Sequence, residues 1–160
     1  MISVIIRNLN SAPRLQAVLT SLVPAAAEGI VRQVIVLDGG STDGSLEICD
    51  DAGADILDAS LLEALDQARG GWILLAPIGI RLRRGWEAQV QSHIETDGGP
   101  ALLLGAQARD KAGLTGWLDR LRTPNGAAIL APAGFVRKEA RQSEELDQMA
   151  RRLRGAPRLF

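Results

Sequence analysis

Apolar residues recur in two rhythms along this chain, and their alternation predicts its architecture. Short runs at Ile2–Ile6, Gln33–Leu37, Ala54–Leu57, Trp72–Ala76, Ala101–Ala106 and Ala127–Leu130 read as strands, several of them apolar enough to be buried on both faces. Between them the spacing turns helical. Leu15, Val18, Leu19 and Leu22 share one face of a helix that opens with Asn10-Ser11 as its cap and Pro13 in its first turn. Pro24 is expected just beyond its end, and Gly29 in the loop that follows. A second helix is expected over Gly44–Asp51, stopped by Gly53. Ser60-Leu61-Leu62-Glu63 has capping-box spacing and predicts a helix over Leu61–Arg69, broken by Gly70-Gly71. Further helices are expected over Arg84–Glu95, Leu114–Leu121 and the strongly polar Glu144–Arg154. Strands alternating with helices imply an α/β fold, a mostly parallel sheet covered on both faces through right-handed crossovers. No repeat, low-complexity segment or linker interrupts the pattern, so residues 1–160 are expected to form one domain.

Candidate chemistry sits where one strand runs out. Val34-Ile35-Val36-Leu37 leads directly into Asp38-Gly39-Gly40-Ser41-Thr42-Asp43-Gly44-Ser45. A buried strand here presents a carboxylate at its carboxyl end, the edge where open α/β sheets bind ligands. Asp38 is suited either to accept a hydrogen bond from a ligand N–H or to cap the turn behind it. Asp43, Ser41 and Thr42 are alternatives for capping the next helix, and Asp43 could also touch a ligand.

Composition narrows the function classes. At 160 residues the chain can bury roughly two thirds of its unfolded surface. A net charge of −1 with three Trp, two Phe and no Tyr offers neither electrostatic attraction nor stacking surface for nucleic acid. One cysteine, Cys49, excludes an internal disulfide and reads as a buried small apolar residue; one histidine, His93, excludes a His-rich zinc site and reads as a helix-surface residue. No apolar run reaches the ~18 residues of a membrane span, and no signal peptide is recognisable, so the expected compartment is the cytoplasm.

Three segments in register resemble family 2 glycosyltransferases of the GT-A fold. Ser3-Val4-Ile5-Ile6-Arg7-Asn8-Leu9-Asn10 is similar to that family's opening strand, and the Asp38 turn is similar to its nucleotide-binding turn. Gly71-Trp72-Ile73-Leu74-Leu75-Ala76-Pro77-Ile78-Gly79-Ile80-Arg81-Leu82, followed by Gly85-Trp86, resembles the segment that carries the family's Asp-x-Asp. The resemblance covers about residues 2 to 90. It implies a three-layer α/β/α GT-A domain, with residues 1–90 as the nucleotide-binding part and 91–160 as a reduced acceptor part. It also implies a pyrimidine nucleotide-sugar such as a UDP- or dTDP-sugar as ligand, with Asn8, Asp38 and Asp43 at the nucleotide. An active member would transfer a hexosyl group with inversion, and Glu145 is the expected general base among Glu144, Glu145 and Asp147. Those acids also suit the first turn of a helix.

The departures from the family pattern shape the expected mechanism. Pro77-Ile78-Gly79 stands where the family carries its metal-binding acids, and none of the three has a side-chain oxygen. No metal cofactor is therefore expected. Arg81, Arg83 and Arg84 are the candidate replacements for binding a departing diphosphate, unless they form a solvated loop. The join between Leu57 and Gly71 is too short for the family's nucleotide-covering loop. Arg137-Lys138, Arg141 and Arg151-Arg152 read as a solvated face. With Leu153, Leu159 and Phe160 nearby, a peripheral membrane contact stays open for them. A non-catalytic nucleotide-binding or protein-interaction module, with a protein partner or as a homodimer, is the rival reading.

Overall fold

A computed structural model describes residues 1–107, 127–142, 146–153 and 155–159. Its strands are β1 (Ile2–Asn8), β2 (Val31–Asp38), β3 (Asp55–Leu57), β4 (Trp72–Ala76), β5 (Ile80–Leu82), β6 (Ala101–Gln107), β7 (Ala127–Pro132) and β8 (Arg158–Leu159). The helices are α1 (Ala12–Ala27), α2 (Ser45–Asp51), α3 (Leu61–Gln67), α4 (Trp86–Glu95), α5 (Ala133–Ala140) and α6 (Leu146–Arg152). The strands build one mixed sheet in the order β3-β2-β1-β4-β7-β6-β5, with β8 beside β6. Strands β1 to β4 are mutually parallel; β7 runs antiparallel to β4, and β6 antiparallel to β7.

The period-2 alternation of strand side chains sorts the core into two layers. Val4 and Ile6 of β1, Val36 of β2, and Leu74 and Ala76 of β4 pack with Leu15, Val18, Leu19 and Leu22 of α1, Cys49 of α2, and Trp86 and Val90 of α4. Ile5, Ile35, Leu37, Ile73 and Leu75 face the other way, onto Leu61, Ala64 and Leu65 of α3, Val136 and Ala140 of α5, and Met149 of α6. The apolar runs are thus buried on both sides, as a parallel sheet between two helical layers requires.

Helix ends follow the sequence closely, with three corrections. Pro24 lies inside α1, which runs on to Ala27. Pro24 faces solvent in the last turns, so the hydrogen bond it cannot donate is lost where water reaches the backbone. Continuing the helix buries Ala25 completely. Gly29 then closes α1 at φ +73, with Gly29 N–H donating to Ala26 O and Ile30 N–H to Ala25 O. Gly53 closes α2 in the same way, and Asp97, at φ +52, closes α4. The Ser60–Glu63 capping box is formed, and α3 ends at Gln67, two residues early. Helix α4 begins at Trp86 rather than Arg84, because Gly85 takes φ +81, outside the helical region. Elements β5, α5 and β8 carry no expectation from the sequence. They are short, and their seats depend on distant partners. The expected helix Leu114–Leu121 lies outside the described residues.

Candidate functional site

Residue register brings Asn8 and Asp38 together. Strands β1 and β2 pair Asn8 with Asp38, and both side chains fall on the face of α1 and α2. Asn8 Nδ2 donates to Asp38 Oδ1 at 2.9 Å and to Ser41 Oγ at 3.1 Å. The Ser41 hydroxyl donates to Asp38 Oδ1 at 2.6 Å. The other oxygen, Oδ2, accepts the backbone N–H groups of Ser41 at 2.7 Å and Gly40 at 3.0 Å. Asp38 thus takes four hydrogen bonds from the protein while only 8% exposed. Burial pushes its carboxyl up, but the bonds from Ser41, Asn8 and Gly40 together outweigh that and hold it below the ordinary carboxylate value. Gly40 sits at φ +88, a conformation that the turn needs and glycine supplies without strain. The amide oxygen of Asn8 is buried with no hydrogen-bond partner among the described residues.

A second layer of polar contacts ties this cradle to two helix starts. Ser41 Oγ accepts the Asn10 N–H at 2.9 Å, and Asn10 Oδ1 accepts the Thr42 N–H at 2.8 Å. Asp43 accepts from Ala12 N–H at the start of α1 and from Ser45 N–H at the start of α2, both at 3.0 Å. Its bonds to Ser45 and Ala12 lower its pKa. Asp43 is therefore a double cap that clamps α1 to α2. Cys49 is buried on the same side, and burial, followed by the Asp38 charge, pushes its thiol up. That favours the unreactive thiol.

Across β1 from Asp38, the chain leaves β4 in a tight turn. Ile80 N–H donates to Pro77 O at 3.2 Å, and Gly79 takes φ +81 at the third position of the turn. A β-carbon built on Gly79 would meet Cβ, Cγ and Cδ of Arg14, each at 3.5 Å. Since β1 separates β2 from β4, Asp38 and this turn stand roughly 10 Å apart along one edge of the sheet.

That arrangement has recognisable relatives. The pattern of glycosyl transferase family 2 matches residues 3–76, from β1 through the cradle to the end of β4. Among solved structures, glucosyl-3-phosphoglycerate synthase from Mycobacterium tuberculosis is similar in fold. In complex with UDP it gives 19% identity and a TM-score of 0.58, covering 84% of this chain and 57% of that one. Its complex with Mn²⁺, UDP-glucose and glycerol 3-phosphate gives 18% identity, the same coverage and a TM-score of 0.58. The complex with Mn²⁺, UDP and glucosyl-3-phosphoglycerate gives 18% identity and a TM-score of 0.57. The chain thus spans less than two thirds of the length of these neighbours. A comparison with curated proteins finds no match. The fold is the GT-A fold expected from the resemblance.

The family's divalent ion does not fit the turn that this chain has. A hard cation takes carboxylate or carbonyl oxygens in a defined cage. Pro77, Ile78 and Gly79 offer no side-chain oxygen, Gly79 adopts a φ at which an Asp would be strained, and the Arg14 stem occupies the adjoining space. Among the described residues no group of three or more His, Cys, Asp or Glu could hold a metal ion.

The remaining candidates scatter. Arg81 is exposed on β5, pointing away from the core that its neighbours Ile80 and Leu82 enter. Arg83 and Arg84 are exposed in the turn before α4. Glu144 and Glu145 lie outside the described residues, and Asp147 lies on α6. Arg137 does not join a solvated basic face. It donates to Leu65 O at 2.7 Å and pairs with Asp66 at 3.6 Å, locking α5 to α3. Arg152 reaches Glu139 at 2.8 Å. Among the described residues no helix is long and apolar enough to cross a membrane. Reasoning from sequence picked out Asn8 and Asp38 but not the intervening role of Ser41. It also gave no weight to Arg14, whose link to Gly79 spans 65 positions and is made only in the folded chain.

Proposed function

We propose that this chain binds the nucleotide part of a pyrimidine nucleotide-sugar at the carboxyl ends of β1, β2 and β4. The observation that carries this reading is the Asn8–Asp38–Ser41 cradle, a buried carboxylate built by in-register strands at the ligand-binding edge of a GT-A sheet. The UDP-bound neighbours of like fold support it. Both Asp38 oxygens are fully engaged, so a uracil or thymine imide N–H reaches Oδ1 by exchanging for the Ser41 hydroxyl. Cytosine has no such donor at that ring position, which makes the site selective. Asn8 holds Asp38 in place, and Asp43 holds the loop between the two helices.

Glycosyl transfer with inversion, Glu145 acting as base, is the catalytic version of this reading. The turn at Pro77-Ile78-Gly79 favours the non-catalytic version, a nucleotide-binding module, because metal stabilisation of the leaving diphosphate has no ligands there. Calorimetric titration of the full chain with uridine, UDP, dTDP, CDP and UDP-glucose tests the shared core of both. Uridine and thymidine compounds should bind at least tenfold tighter than CDP. Equal affinity for CDP, or no nucleotide binding, overturns the reading. Release of free UDP from UDP-glucose in the presence of candidate acceptors then separates enzyme from module.

A further inference from the structure

We propose that Arg14, in the first turn of α1, is the diphosphate-binding cation of this chain, seated at the turn that cannot hold a metal. The proposal rests on the nucleotide-binding reading for its ligand and on separate geometry for its residue. Arg14 lies over Gly79: three successive stem atoms, Cβ, Cγ and Cδ, each stand 3.5 Å from the position a Gly79 β-carbon would take. The guanidinium begins one bond beyond Cδ. The stem thus runs past the end of β4, and the guanidinium it carries is within side-chain reach of the turn at Pro77-Ile78-Gly79. Glycine at position 79 is favoured by its φ of +81, the backbone that makes the turn this tight.

The competing cations are placed less well. Arg7 follows Ile6 on β1, so alternation sends it to the sheet face away from α1. Arg81 points away from the core face on which α1 packs against β5. Arg83 lies four residues beyond Gly79, about 13 Å of extended chain. Arg14, by contrast, belongs to the same layer as the Asn8–Asp38 cradle, because α1 packs on the sheet face that Asn8 and Asp38 share. Base and diphosphate would then be read on one face, Asp38 at one end and Arg14 at the other. A planar guanidinium suits this task, since its paired N–H groups match two phosphate oxygens and its charge persists at any working pH.

The test is titration of the full chain with uridine, UDP and inorganic pyrophosphate, each with and without MnCl₂, on wild type, Arg14→Gln, Arg14→Lys and the double variant Arg83→Ala/Arg84→Ala. Thermal melts confirm that each variant folds. Arg14→Gln should weaken UDP and pyrophosphate about tenfold or more and leave uridine within twofold. Arg14→Lys should recover part of the loss, the Arg83→Ala/Arg84→Ala protein should match wild type, and Mn²⁺ should not tighten UDP. The proposal is overturned if Arg14→Gln leaves UDP and pyrophosphate unchanged, if it weakens uridine equally, or if Mn²⁺ tightens UDP on wild type. Pyrophosphate separates the two readings. Pyrophosphate binding that Arg14→Gln removes, in a protein that ignores uridine, sinks the base site while Arg14 stands.

Discussion

Asp38→Asn changes one oxygen into an NH₂ group and removes a charge at nearly constant volume. All four donors around Asp38 point inward, from Asn8 Nδ2, Ser41 Oγ, Ser41 N and Gly40 N. An amide can accept on one side only. If its oxygen stays with the two backbone N–H groups, its NH₂ faces the Asn8 NH₂ and the crowded Ser41 hydroxyl. In the flipped orientation the backbone N–H groups of Ser41, which is buried, and Gly40 lose their acceptor. Either way at least one charge-assisted bond is lost and one donor meets another, which costs about 2–4 kcal/mol. Urea denaturation of both proteins at pH 7 measures this directly. The difference should also depend on pH. Because the folded-state pKa of Asp38 lies below its ordinary value of 3.8, its contribution is complete above that value and fades as pH falls through the lower folded value. Wild type and Asp38→Asn should therefore converge in stability in strong acid and stay apart between pH 5 and 8. A difference under about 0.5 kcal/mol at pH 7, or one that persists undiminished at pH 2, would refute the view that these four bonds hold the charged carboxylate.

Two further outcomes follow from the glycines. Pro77→Asp with Gly79→Asp restores the family's acids in name only; φ +81 should make the second one cost about 1–2 kcal/mol, and calorimetry with MnCl₂ should show no new tight site. Tight Mn²⁺ binding without loss of stability would show that the turn relaxes. Gly70→Ala places a β-carbon against the Ser3 backbone nitrogen and 2.7 Å from the Ile2 carbonyl carbon, where only backbone could yield. Urea denaturation should report a loss of roughly 3 kcal/mol or more, and a loss below about 1 kcal/mol would mean the start of β1 moves freely.

Local signals made most of the fold legible. Buried strands, the Ser60–Glu63 box and the glycines that close α1 and α2 depend on residues close in the chain, so spacing alone exposes them. The Pro24 boundary went astray because a proline's cost depends on which way the helix faces, and burial of Ala25 decided that. Elements β5 and β8 escaped because three- and two-residue strands exist only by pairing with β6. For the site, the sequence placed a carboxylate at a strand end and pointed to Asn8 beside it. It left Asp43 between capping and ligand contact; in the folded chain Asp43 accepts from both helix starts, a pairing of positions 12, 43 and 45 that no local pattern exposes.

Sequence by itself determined the α/β order of elements, the glycine-rich turn after Asp38 and the want of side-chain oxygen at Pro77-Ile78-Gly79. These are properties of neighbouring residues, fixed by period, propensity and side-chain chemistry. Only the tertiary structure decided that Asp38 is saturated by four internal donors, that Arg137 is spent on joining α5 to α3, and that Arg14 lies across Gly79. Each of those depends on strand register and helix docking, which bring together groups that no local pattern links.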